Sequence, residues 1–529
     1  MLKNKEKHPS PNAVKDFSAL KLWPVFGCWN KEQCQTPRTS DTASERSLAL
    51  KTTNSTGRQD AQPTTPTNGD DLRKAVNWVL TEDSFADLRL HGNVKWTALT
   101  LIRLAVFWVW SSETGLVAAA NAAIAQVLKL FGSVAVTSYQ ALTGGLIRYT
   151  PQLLGPLWKH LHGLFQDVGG NAWRVGRWLP LAVDGSRVSV PRTAPNEQRF
   201  CKPPEKRNKK KKKANKRSRK ANQTRQNQRC KSHYNPQAVG PQMWLTLIWH
   251  IGLRLPWCWK VGPSFDSERS HMLALLGEQT FPEDTLFCAD AGFYGYDFWR
   301  SILDREHQFL VRVGSNVRLL KNLGVVRQHD DIVYCWPNAN MKKKQPPLTL
   351  RLFRFNDGRG EVYLVSSILD DKQLTPQQAS VIYRGRWGIE LQFRALKQTY
   401  GRSKLRSRTP EHAEIELHWS LMGLMMLQLL ALKEQTQAEK PPPKTSIAAV
   451  LQIVRSMIAE QSEPQAAGKS LPERLSGATT DSYRRHTKKK SRNYPRRKEE
   501  PKAGAPIITL AGEKHLAALR QLEDYATVA

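Results

Sequence analysis

Val381 to Tyr400 reads VIYRGRWGIELQFRALKQTY, and four of its residues, Tyr383, Arg386, Glu390 and Lys397, stand at relative positions 0, 3, 7 and 14. At about 100° per residue these four fall within roughly 60° of arc on one helix face, spread along about 21 Å. The spacing predicts a helix from Pro376 to about Tyr400 that carries a phenol, a guanidinium, a carboxylate and an ammonium in one stripe. A solvated face laced with i,i+4 ion pairs produces the same charge pattern. A stripe of that length also suits contact with several phosphates of one nucleic-acid strand.

Working outward, apolar runs of strand length occur at Trp178 to Val183, Val188 to Val190, Met243 to Trp249, Leu253 to Lys260 and Thr285 to Ala289, with a helical segment, Ser267 to Gly277, set among them. Two of these runs end on an acid: Asp184 in LAVDGSRVSVPRT and Asp290 in LFCADAGFYG. A second strand-like group, Phe309 to Val313, Asp331 to Trp336, Leu348 to Phe355 and Glu361 to Ser366, precedes the helix of the stripe. Each Asp has a local explanation. Asp184-Gly185 is a hairpin-turn dipeptide, and Asp290 could cap a helix from Phe293 to Leu303. Neither accounts for two strand-terminal Asp residues together with a Glu on a helix packed against the same sheet.

The stripe matches the Y-x2-R-x3-E-x6-K signature of the IS4 family of bacterial transposases at all four positions, and the two Asp segments are similar to that family's first and second catalytic Asp motifs. The resemblance covers roughly Trp178 to Leu432. It implies an α/β fold: a ribonuclease H-like mixed sheet with helices, an inserted β-rich module, and helical N- and C-terminal segments. It further implies that Asp184, Asp290 and Glu390 are the catalytic and metal-binding residues, that Tyr383, Arg386 and Lys397 bind DNA, and that the element moves by cut and paste. One departure stands in the second motif, which commonly reads D-R-G-F; here Ala291 takes the place of the Arg.

Three carboxylates crowded together repel one another unless divalent cations neutralise them. Oxygen ligands without a Cys or His cluster favour Mg2+, with Mn2+ as substitute. Two ions about 3.5 to 4 Å apart can serve an in-line phosphoryl displacement, first hydrolysis at an element end and then strand transfer of the freed 3′-hydroxyl. A Tyr383 nucleophile is conceivable, but the full acidic set makes it less economical. Double-stranded DNA, as transposon ends and as target, is the expected partner, and the need to gather two ends argues by analogy for a dimer on DNA.

The rest of the 529-residue chain fits a polyanion partner. Eighty Lys and Arg against 46 Asp and Glu leave a net charge of +34, while 40% hydrophobic residues and 17 Trp indicate folded protein. Residues 202 to 231 hold fifteen Lys and Arg against one Glu, and a second basic run spans Arg484 to Lys498. The first reads equally as a DNA tether or as a loop without a dedicated partner; the second interleaves Tyr483 and Tyr494 with cations, which favours DNA. Trp336 reads either as core or as a stacking surface for an extruded base. The seven Cys lack a C-x-x-C pair and read as free thiols. No P-loop or G-x-G-x-x-G turn is present, which removes ATP hydrolysis.

The apolar stretches Leu99 to Trp110 and Leu417 to Leu432 fall short of the roughly 20 residues of a membrane span. No secretory leader pattern opens the chain, so a cytoplasmic, nucleoid-associated protein is expected. The expected organisation is a disordered arm (1–71), a helical N-terminal domain (72–170), the first part of the catalytic domain (171–308, with a disordered basic insertion at 202–231), a β-rich module (309–374), the Glu helix (375–400), a helical C-terminal domain (401–460) and a basic tail (461–529). A catalytically inactive DNA-binding relic and a stand-alone ribonuclease H-like nuclease remain as alternatives. The intact acidic set speaks against the first, and the large helical and basic periphery against the second.

Overall fold

The apolar runs around the two aspartates become neighbouring parallel strands in the computed structural model, which describes residues 66–88, 90, 96–132, 134–202, 240–326, 330–356, 360–440, 445–464, 470–480 and 504–528. Strand β1 (Leu179–Ser189) pairs antiparallel with β2 (Gln242–His250), and β2 with β3 (Leu255–Pro263). On its other side β1 pairs in parallel with β4 (Thr285–Ala289), which pairs in parallel with β5 (Gln308–Val313). Every residue of β4 is buried, as a parallel strand covered on both faces requires. The order β3-β2-β1-β4-β5, antiparallel hairpins followed by parallel strands, is the ribonuclease H-like mixed sheet that the resemblance implies.

The β-rich group does not form a separate sheet. Strands β6 (Arg318–Lys321), β7 (Ile332–Cys335), β8 (Leu348–Asn356) and β9 (Glu361–Ser366) extend the same sheet through an antiparallel β5–β9 pair. Phe309 to Val313, grouped with the module by its sequence, therefore lies in the fifth core strand. Residues 461–529, read as a basic tail, contain a tenth strand, β10 (Ile507–Leu510), whose β-branched run pairs in parallel with β6. The basic runs 202–231 and 484–498 fall outside the described residues, apart from Lys202, as do Met1 to Thr65 and Cys28, Cys34 and Cys230. The described Cys201, Cys258, Cys288 and Cys335 are free thiols.

Helices α1 (Asn68–Val79), α2 (Ala98–Trp110), α3 (Leu116–Phe131) and α4 (Tyr139–Gly169) precede the sheet. A capping box between Thr67 and Asp70 starts α1 inside the stretch read as an arm. Between β3 and β4 runs α5 (Glu268–Glu278); α6 (Tyr296–Leu303) follows β4. The Glu-bearing segment forms α7 (Pro376–Gly385), α8 (Gly388–Arg394) and a π-helical turn at Ala395–Thr399, and leads to α9 (Pro410–Gln437), α10 (Ile447–Ala459), α11 (Leu471–Gly477) and α12 (Glu513–Val528).

Helix α9 has the length and apolarity of a membrane span, longer than the sequence reading allowed, yet 94% of its most apolar window is buried inside the protein. It packs against α2, α4, α10, α11 and β3, so N- and C-terminal helices share one bundle. Trp110 Nε1 donates to the Gly423 carbonyl (2.9 Å) and Trp419 Nε1 to Thr150 Oγ1 (2.9 Å), which satisfies the two indoles inside this core. Fully buried Glu416 accepts hydrogen bonds from the Arg406 and Ser407 backbone N–H groups and from Ser407 Oγ, tying the loop before α9 to the helix.

The single helix expected from Pro376 to Tyr400 is interrupted. Between α7 and α8 the backbone tightens to i→i−3 bonds, Trp387 N–H to Arg384 and Glu390 N–H to Trp387. Two glycines let this joint lie on the β2–β3 hairpin: a Cβ on Gly385 would sit 2.5 Å from Ile251 Cγ2, and one on Gly388 only 2.1 Å from Trp249 Cη2. Gly388→Ala gains under about 1 kcal/mol of helix propensity, but must displace a buried indole or lift α8, at about 1–3 kcal/mol. The expected outcome is a lowered midpoint in denaturant unfolding at unchanged slope; an unchanged or raised midpoint would show that α8 yields freely.

Candidate active site

The register of β1 on β4 decides where the acids stand. The last parallel pair is Val183 with Ala289, so Asp184 and Asp290 are the next residues and stand side by side where the β1–β4 pairing ends, at the inter-strand spacing of about 4.8 Å. Asp184-Gly185 is not a turn: both residues belong to a continuous β1, paired with Leu247 and Thr246 of β2. Nor does Asp290 cap a helix, because α6 begins at Tyr296 after Gly295, which makes no side-chain cap. Asp290 Oδ1 accepts instead from the Gly292 N–H at 2.8 Å, and Asp184 Oδ1 from the Gly185 N–H at 2.8 Å.

Of the four stripe residues, Tyr383 (7% exposed) and Arg386 (4%) are buried, whereas Glu390 is exposed and Lys397 half-buried. The break at Arg386-Trp387 and the extra residue of the π turn disrupt the even 100° step on which a single face depends. Arg386 Nη1 lies 3.7 Å from Asp184 Oδ2, and its guanidinium stands over the rings of Tyr383 and Trp387. Lys397 Nζ donates to Ser186 Oγ at 2.7 Å, two residues beyond Asp184 on β1. Asp290 and Glu390 lie near enough for their charges to act on Asp184. As the side chains stand, no three His, Cys, Asp or Glu among the described residues close around a metal ion. Trp336 is core: 4% exposed, with its indole N–H donated to the Gln345 carbonyl.

A further acid enters that the motif spacing does not reveal. Glu268 is the first residue of α5, after the capping box of Ser267 and Ser270. A Cβ on Gly185 would lie 2.6 Å from Glu268 Oε1, and one on Gly292 would lie 3.7 Å from Oε2 and 3.0 Å from Asp290 Oδ1. The two glycines leave the room this carboxylate occupies. Its only sequence signal is an acid in the first turn of the helix between the third and fourth core strands, a position the helix dipole favours in any case.

Burial, assisted by the repulsion of Asp290 and Glu390 and opposed by the Gly185 N–H and Arg386, raises the Asp184 carboxyl to about 6. Burial and the charges of Asp184 and Asp290 raise Glu268 to about 7, against the pull of Arg386. Burial also lowers the Lys397 ammonium. The site is thus an acidic cleft with a charge surplus that its own cations do not cancel.

Residues 262–426, from the end of β3 through much of α9, match the family described as transposase DDE domain, a span that includes Glu268, Asp290 and Glu390. The chain is 27% identical over 224 residues to the transposase InsG for insertion sequence element IS4 of Escherichia coli (strain K12), a match that covers 40% of this chain and 49% of that protein. It thus spans about half the length of the curated relative it matches. Among solved structures it is similar to a cryo-EM structure of the piggyBac transposase synaptic complex with hairpin DNA, at a TM-score of 0.34 and 12% identity, covering 78% of this chain and 86% of that one.

The raised Glu268 carboxyl makes metal-free stability depend on pH. Unfolded, the group ionises near its ordinary value of 4.5; folded, near 7. Between these values the fold holds the proton more tightly, so stability present at low pH is lost as pH rises through 7. Glu268→Gln removes the loss. Its unfolding free energy in chelator should rise at pH 8, by about 1 kcal/mol once solvent screening is allowed for, and change little at pH 5. Equal effects at both pH values would show that Glu268 is not strained by its acidic neighbours.

Proposed function

We propose that this chain, whose residues 262–426 match the transposase DDE domain family and which is similar to the transposase of insertion sequence element IS4, is a DNA transposase of the cut-and-paste type. The observation that carries this assignment is the parallel register that sets Asp184 beside Asp290, with Glu390 in electrostatic reach. Asp184, Asp290 and Glu390 would hold two Mg2+ ions, with Mn2+ as substitute, which when bound supply Lewis-acid activation of the attacking oxygen and charge neutralisation at the leaving 3′ oxygen. The residues suit that group: the donors are carboxylate oxygens, and the lack of a side chain at Gly185 and Gly292 lets the Glu268 carboxylate lie beside both aspartates.

The protein's own side chains would then do the following. Arg386, buried against Asp184, fixes that carboxylate and offsets part of the acidic charge, so it acts as a positioning residue, with Tyr383 packed on its guanidinium. Lys397, held by Ser186 and partly open to solvent, is placed to meet a phosphate next to the scissile bond. In the first step a water oxygen bonds to phosphorus as the P–O3′ bond breaks, which frees a 3′-hydroxyl at the element end. In the second that hydroxyl bonds to a phosphorus of target DNA and displaces a second 3′ oxygen. The net charge of +34 supports a double-stranded DNA partner bound largely through its backbone. Two protomers would gather two ends, and the protein would work in the cytoplasm on the nucleoid.

Purified protein with Mg2+ and a duplex carrying the DNA that flanks its coding sequence tests the assignment. Asp184→Ala, Asp290→Ala and Glu390→Ala should each reduce strand cleavage at least about 1,000-fold, with DNA retention in a gel-shift assay largely intact. Substantial cutting by any one of them counts against the triad. Lys397→Ala should weaken binding and reduce the salt slope by about one; an unaltered slope would mean that Lys397 meets no phosphate.

A further inference from the structure

Four carboxylates, not three, surround the end of the β1–β4 pair, and the fourth is held there by the fold rather than by a motif. The β3–β4 crossover helix α5 is fastened at both ends of its first turn. Ser267 and Ser270 cap it, and buried His271 links Nδ1 to Thr246 Oγ1 of β2 (3.1 Å) and Nε2 to Asp266 Oδ2 (3.0 Å). Gly262 of β3 lies directly under this clamp, where a Cβ would stand 2.1 Å from Asp266 Oδ2 and 2.7 Å from His271 Nε2. A helix so pinned projects its first residue, Glu268, over the edge of β1.

Three observations give that side chain a purpose. Its two oxygens face the residues next to both aspartates: Oε1 toward Gly185, one past Asp184, and Oε2 toward Gly292, two past Asp290. Its carboxylate makes no hydrogen bond and no ion pair with any described residue, so it is not there to tie elements together. Arg386, with 4% exposure and an Nε that has no hydrogen-bond partner among the described residues, is the cation whose charge reaches both Asp184 and Glu268. With all four carboxylates Asp184, Glu268, Asp290 and Glu390 ionised, one guanidinium leaves three negative charges uncancelled, a surplus that divalent cations would offset.

We propose that Glu268 is a fourth carboxylate ligand of the divalent-cation centre that Asp184 and Asp290 would form. This rests on the assignment of those aspartates as metal ligands. Glu268 would give that centre a donor from an element pinned to the sheet, independent of the segmented α7–α8 joint that supplies Glu390. The cleft can then hold one ion before DNA arrives, since hard cations gain affinity with each added carboxylate oxygen.

Mn2+ binding to the full-length protein without DNA, followed by electron paramagnetic resonance, provides the test. The expected result is that Glu268→Gln weakens Mn2+ binding on the order of tenfold. In strand cleavage the same variant should raise the Mg2+ concentration for half-maximal rate by a similar factor, and Glu268→Asp, which keeps the carboxylate, should recover much of the Mn2+ affinity, a rescue that a merely structural residue would not produce. Mn2+ affinity and Mg2+ dependence equal to those of the unsubstituted protein would overturn the proposal for Glu268 alone. An unsubstituted protein that binds no Mn2+, with or without DNA, would overturn the metal-centre assignment itself, so the two failures are told apart.

Discussion

The arrangement depends on one backbone constraint, the parallel pairing of β1 with β4. Hydrogen bonding between these strands fixes Val183 against Ala289, and a slip of one residue would turn Asp184 into the core on the opposite face. Both faces of the two strands are buried and apolar, with Leu181, Ala182 and Val183 beside Phe287, Cys288 and Ala289. The backbone ladder therefore determines the separation of the two charged groups just beyond it. The acidic site is thereby set on buried, hydrogen-bonded backbone, which is where groups that repel one another strongly have to be held.

Repulsion is the second theme. The site concentrates acids around a single guanidinium, and burial, which disfavours their charged forms, drives proton uptake at Asp184 and Glu268 near neutral pH. Under the proposed function cation binding would relieve that repulsion, and folding stability and metal affinity would be linked through the same few side chains.

Much of this was legible in the chain. An acid directly after an apolar run marked the end of β4 and the point on β1 where its parallel pairing stops, because buried parallel strands leave few other reasons for a charge there. The Glu-bearing stripe located its helix, but not the break within it. That break comes from Gly385 and Gly388 meeting Ile251 and Trp249, contacts between segments more than a hundred residues apart that no local periodicity encodes. The same limit hid the continuity of β1: Asp-Gly reads locally as a turn, whereas Gly185 is small because Glu268 needs the space. Glu268 was invisible for the converse reason, since an acid in a first helical turn is ordinary. The module's merger with the core sheet was likewise unreadable, because edge-to-edge pairing of β5 with β9 leaves no mark on composition.

Helix α9 imposes an order on the protein's birth. It is the shared wall of the bundle and of β3, so the Trp-rich strands β2 and β3 and the apolar α2 cannot be fully covered until it emerges from the ribosome. At synthesis rates of about 5–20 residues per second, the interval between β3 and α9 lasts on the order of 10 s, with aromatic surface open to chaperones and to neighbouring nascent chains.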